Sequence, residues 1–127
     1  MSILKISQLG HPILLQKCKS VKDITGDITK KIIHDMTETM LDAKGIGLAA
    51  PQVHINKQII IFRDPDEENQ TDIKITSLKN PTINKIDNET DNQWEGCLSI
   101  PGMLGLVKTY AVWLGFSMVG YVFASII

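Results

Sequence analysis

The chain has 127 residues, 43% of them hydrophobic and 21% charged, with a formal net charge of −1. That length holds one domain at most, and the composition is that of a globular chain rather than a disordered one. The near-neutral balance argues against nucleic acid as a partner, because such binders show a basic face.

The N-terminal stretch MSILKISQLGHPILL has one early lysine, and its apolar runs are short and broken by Pro12. No targeting segment is expected there. Cys18 and Cys97 lie far apart in sequence, which predicts a reduced, cytoplasmic protein without a disulfide. Residues 1–24 read as an extended lead-in anchored by Ile3, Leu4 and Ile6. Gly10-His11-Pro12 is a turn signal, since proline disfavours helical geometry in the residue before it. His11 is then most simply a turn residue.

ITGDITKKIIHDMTETMLDAKG is the clearest helical pattern. Ile28, Ile32, Ile33, Met36 and Met40 recur at helical spacing. Thr25 or Asp27 suits the N-terminal cap, and Gly45 suits the C-terminal stop. His34 falls on the solvated face with Asp35 and Glu38. KQIIIF is a β-branched run that predicts a buried strand. The acidic DPDEENQTD, residues 64–72, reads as a solvated loop. IKITSL and NPTINKI predict further short strands parted by Asn80-Pro81. One helix among short, mostly antiparallel strands makes the fold class α+β.

Two stretches stand out chemically. GIGLAAPQ, residues 45–52, is small and ends on an amide. It follows a helix and lacks a third glycine, so it is not a nucleotide loop. Its glycines permit close approach to main-chain groups, Pro51 stiffens the exit, and Gln52 presents an amide. Such a loop suits an extended peptide bound by backbone hydrogen bonds, with the amide polarising a carbonyl. The plainer alternative is a tight helix-to-strand turn. WEGCLSIPG, residues 94–102, carries Cys97, which is a buried small hydrophobe, a nucleophile or a soft metal ligand.

GIGLAAPQ followed by EGCLSIPG closely resembles the first two signatures of peptide deformylases. LGHPIL, TETMLDAKG, the strand after PQV, and LKNPTI stand in that family's order as well. The resemblance covers residues 3–110. It implies a deformylase-like α+β fold and removal of formate from formyl-methionine at the N-termini of new polypeptides. The family uses Fe(II), with zinc as a substitute. Cys97 matches a metal ligand. Gln52 matches the amide that steadies the developing oxyanion, together with the backbone N–H of Leu98. Gly47 matches the glycine whose main chain bonds substrate. Ile46 and Glu95 match positions near the methionine pocket.

The family's third signature, HExxH on a C-terminal helix, is not among these residues. The histidines are His11, His34 and His54, with no pair four apart. A hydrolytic centre needs three protein ligands and an open position, so one thiolate is not enough. No cofactor is therefore expected in this chain, and the expected activity is nil. From 109 to 127 no residue is charged. This divides the chain into a partial deformylase-like region, 1–110, and an apolar tail, 111–127, unrelated to the family. The tail reads first as the product of a coding disruption, next as a membrane anchor, and last as a buried strand pair. The expected partner is a formyl-methionyl peptide N-terminus, held in a residual groove. The alternative function is a non-catalytic binding module for peptide N-termini, tethered to a membrane by the tail.

Overall fold

The apolar spacing of residues 27–42 and the β-branched run that follows need each other. In the computed structural model, which describes residues 3–63, 73–114 and 117–119, the helix α1 (Asp27–Asp42) packs on strands β1 (Gly47–Ala49) and β2 (Ile59–Arg63). Met36 and Met40 are fully buried, as are Leu48 and Ile61, with Ile59 and Val53 nearly so. Truncating either methionine would cost about 2–5 kcal/mol. β2 pairs antiparallel with β1 on one side and with β3 (Ile75–Lys79) on the other. Its alternate residues Ile59, Ile61 and Arg63 are buried, which gives the expected buried strand.

The helical stripe differs from the sequence pattern. Ile28 is 75% exposed, whereas Thr29, Asp35 and Thr39 are buried. The lead-in causes the shift, because the Leu4 N–H donates to Thr39 Oγ1, which donates in turn to the Asp35 carbonyl. A polar helix row is thereby covered, and Asp35 leaves the solvated face expected for it. His34 stays exposed.

The helix ends also differ in detail. Gly26 is the N-cap and makes no side-chain capping bond. At the C-terminus the left-handed residue is Lys44, at φ 54°, not Gly45. The Lys44 N–H donates to the Leu41 carbonyl and the Gly45 N–H to that of Met40. These are the two bonds of a Schellman stop, here with lysine in the position glycine usually takes.

Two compact units make up the chain, Met1–Asn80 and Pro81–Ile127. The second contains β4 (Ile83–Cys97), β5 (Ile100–Leu114) and β6 (Ser117–Val119), antiparallel in that order. At fifteen residues each, β4 and β5 are far longer than the short strands expected. Tail residues up to Leu114 continue β5, and 117–119 form β6. The acidic loop at 64–72 and most of the tail beyond 114 lie outside the described residues. No helix among the described residues is long and apolar enough to cross a membrane.

Candidate functional site

The first motif sits in the first unit, where its backbone is fixed from several sides. The Arg63 N–H donates to the Ile46 carbonyl at 2.9 Å, and Gly47 stands opposite Phe62. In an antiparallel ladder the residues on either side of a bonded pair turn their own groups outward. The Gly47 N–H and C=O therefore face away from β2. Among the described residues β1 is an edge strand of its sheet, so these groups face an open edge. Ile46, beside it, is 44% exposed.

The Ala49 N–H points to the same edge, and there the chain closes on itself. Ala49 N–H donates to Gln52 Oε1 at 2.9 Å. The turn that allows this is a short 3-10 helix, Ala50–Val53, with Pro51 in its first turn. Proline is preorganised for that position and lacks the N–H that would go unused. Gln52 is 4% exposed. Its amide oxygen is engaged by backbone, and the same amide also carries an NH2 group, which is donor only. The element leaves through His54, a left-handed residue at φ 64°.

The lead-in straps this motif. The Ser7 N–H donates to the Gln52 carbonyl at 2.7 Å, and Ser7 Oγ lies 3.1 Å from both the Gln52 and the Pro51 carbonyl oxygens. His11 caps the 3-10 turn Pro12–Leu15 by accepting the Ile13 N–H on Nδ1, as its turn setting predicted. Its ring meets that of His54 edge-on, with centroids 4.7 Å apart. The sequence did not disclose the role of Ser7. A lone serine in a lead-in gives no pattern to find.

The second motif sits in the second unit. Cys97 ends β4 and pairs with Ile100 across a two-residue turn, Leu98 and Ser99. Cys97 and Leu98 are half-buried and Ser99 is buried. Leu98 thus lies in the turn, outside the ladder register. Glu95 stands opposite Gly105. The register slips between Gly96 and Cys97, so that Pro101, Gly102 and Met103 bulge from β5. Gly102 takes φ 76° there, a conformation that favours glycine. No disulfide joins Cys18 and Cys97.

Among the described residues, one group of three side chains could share a metal ion: His34, Asp35 and Glu38 on α1. Cys97 is not a member. His34 turns Nδ1 toward Asp35, at 3.8 Å, and Nε2 toward Glu38, at 3.9 Å. One imidazole cannot offer both nitrogens to a single ion. Asp35 is already bonded to Lys31 Nζ at 2.6 Å. These residues do not fit the thiolate-and-imidazole centre that the motif resemblance implies.

The described residues thus make an α+β chain whose first unit carries a glycine edge strand and a backbone-locked glutamine, and whose second unit carries a cysteine turn. The sequence profile of the polypeptide deformylase family matches residues 3–112. The chain belongs to that family. It is 38% identical over 111 residues to peptide deformylase 1 of Nitrosomonas europaea, covering 83% of this chain and 61% of that protein. It is 44% identical over 105 residues to a Dehalococcoides mccartyi peptide deformylase, covering 83% and 59%. Among solved structures, a Synechococcus elongatus peptide deformylase in complex with actinonin matches with TM-score 0.78 and 39% identity, over 87% of this chain and 59% of that one. A Met-Ala-Ser-bound Acinetobacter baumannii peptide deformylase matches with TM-score 0.75 and 28% identity, over 91% and 86%. The chain spans about 61% of the length of the curated relatives it matches.

Proposed function

We propose that these 127 residues form the peptide-cradling part of a deformylase. They hold a formyl-methionyl N-terminus along the edge of β1 without hydrolysing it on their own. The observation that carries this reading is the ladder phase. Among the described residues it leaves the Gly47 N–H and C=O on an unpaired strand edge, while the next outward N–H, that of Ala49, is taken by Gln52 Oε1. An extended peptide can add to the edge at Gly47 by β-augmentation. Its pairing then stops at Gln52, whose NH2 can donate to a carbonyl at the peptide's end. By the family resemblance, Ile46 in the first unit takes a position near the methionine pocket. In the second unit the resemblance assigns Glu95 a like position, the Leu98 N–H the role of a second donor, and Cys97 that of a single metal thiolate.

In the family the metal, when bound, lowers the pKa of its water toward neutrality. This chain's own residues bind and orient the peptide and polarise its formyl carbonyl. They supply neither the two histidines nor the glutamate base of the third signature. The membrane-tethered alternative has no spanning helix among the described residues behind it.

The test is titration of 15N-labelled chain with formyl-Met-Ala-Ser, together with a formate-release assay. The expected result is a shift of the Gly47 and Ala49 amide signals with no formate above the buffer rate. Amide signals that stay put at millimolar peptide would sink the binding reading. Formate release abolished by Cys97→Ala would sink the claim of inactivity.

A further inference from the structure

We infer that Ser7, in the lead-in, is the positioning residue for Gln52. This rests on the reading of Gln52 as the group that polarises the formyl carbonyl. Gln52 is held at both ends. Its amide oxygen accepts from Ala49, and its own carbonyl accepts from Ser7, through the Ser7 N–H at 2.7 Å and the hydroxyl at 3.1 Å. Ser7 is 2% exposed although it lies in a segment of mostly exposed residues. The hydroxyl has one proton and two carbonyls within reach, those of Pro51 and Gln52. It therefore grips the peptide unit from which the Gln52 side chain departs. A side chain fixed at its tip and its root has little freedom left, and preorganised donors are what stabilise developing charge.

What the hydroxyl does not do is equally informative. The Pro51 carbonyl also accepts the His54 N–H, and the Gln52 carbonyl keeps the Ser7 N–H. Removing Oγ orphans neither carbonyl. The large desolvation penalty of an unsatisfied buried group is thereby avoided. Ser7→Ala should thus leave global stability nearly intact and act on Gln52.

The experiment uses the full chain with two probe peptides, formyl-Met-Ala-Ser and Met-Ala-Ser. Only the first carries the carbonyl that Gln52 would meet. Ser7→Ala is expected to weaken the formylated peptide by about threefold to tenfold, the worth of one hydrogen bond. Affinity for Met-Ala-Ser should change less than about twofold. The Gln52 NH2 signals, assigned by their loss in Gln52→Leu, should shift in Ser7→Ala while the Met36 and Met40 methyl signals hold. The double variant Ser7→Ala/Gln52→Leu should bind no worse than Gln52→Leu. If Gln52→Leu removes the preference for the formyl peptide and Ser7→Ala does not, the inference about Ser7 is wrong. If Gln52→Leu itself leaves that preference unchanged, the reading of Gln52 fails, and the Gln52 NH2 signals alone judge Ser7. Ser7→Cys, nearly isosteric with a weaker donor, should fall between wild type and Ser7→Ala. Unfolding of both variants would assign Ser7 to stability alone and overturn the inference.

Discussion

Arg63, at the end of β2, donates from Nε to the carbonyl of Gly45 at 3.0 Å and from its backbone N–H to the carbonyl of Ile46 at 2.9 Å. One residue thus holds two consecutive peptide units at the start of the first motif. Arg63 is 8% exposed and Gly45 is buried, so the bond forms away from water. Arg63→Met keeps the aliphatic bulk and strips the donor from a buried carbonyl. It should destabilise the chain by about 1–3 kcal/mol. Arg63→Lys should behave like Arg63→Met, because lysine has no donor at the Nε position. Urea midpoints of the three proteins check this, and a wild-type midpoint for Arg63→Met would count against the clamp.

Asn80 closes the first unit in a comparable way. Its Oδ1 accepts the Val21 N–H at 2.6 Å and its Nδ2 donates to the Val21 carbonyl at 2.8 Å, while its backbone sits at φ 50°. Asparagine suits both demands, since it tolerates the left-handed region and carries a donor and an acceptor. Asn80→Asp would set a carboxylate against the Val21 carbonyl. A loss of about 2 kcal/mol is expected at neutral pH, and it should lessen in acid as the carboxyl gains a proton. Thermal unfolding at two pH values tests the difference.

How far these features could be read in advance depends on the kind of signal each leaves. Met36 and Met40 lie one helical turn apart among helix formers, so periodicity found the helix. It misplaced Ile28 and Asp35, because the buried row is chosen by the Leu4–Thr39 bond, which no local pattern encodes. The run from Asn84 to Gln93, NKIDNETDNQ, has no period-two alternation, so only the start of the long strand β4, within NPTINKI, was legible. The candidate residues Gln52, Gly47 and Cys97 came from two motifs. The orientation of the Gln52 amide did not, since it follows from the Ala49 N–H that the ladder leaves over. Lys44 and His54 take left-handed conformations that sequence ordinarily signals with glycine or asparagine.

Lys44 offers a stabilising change on that account. It is exposed, and its φ of 54° costs a residue with a Cβ about 1 kcal/mol. Lys44→Gly removes that strain and leaves the Schellman bonds to Leu41 and Met40 available. The expected gain is about 0.5–1 kcal/mol. Ala43→Gly, one residue earlier at φ −79°, should instead destabilise by a similar amount. A matched pair of denaturation curves reads both signs, and a loss of stability in Lys44→Gly would refute the strain argument.

Acid should reveal Asp35. The Lys31 Nζ hydrogen bond at 2.6 Å holds the Asp35 carboxyl below its ordinary range. Burial works against this shift, and the charge of Lys31 and contacts with His34 add to it. A carboxylate whose folded pKa lies below its unfolded value stabilises the fold wherever it is ionised in both states. That contribution is full above about pH 4 and fades as the pH falls through the folded value. The unfolded chain binds the proton first, so protons favour unfolding across this window. Asp35→Asn removes the titration, and Lys31→Met removes its principal cause. Both variants should lose less stability than wild type between pH 5 and pH 2, values of about the carboxylate range. Lys31→Met should move the Asp35 carboxyl upward in a carbon-detected NMR titration. The exposure of Lys31 to solvent makes the effect sensitive to ionic strength, so it should shrink in molar salt. An acid limb unchanged by Lys31→Met would show that the ion pair contributes nothing to the pH dependence and that the carboxyl's low pKa has another source.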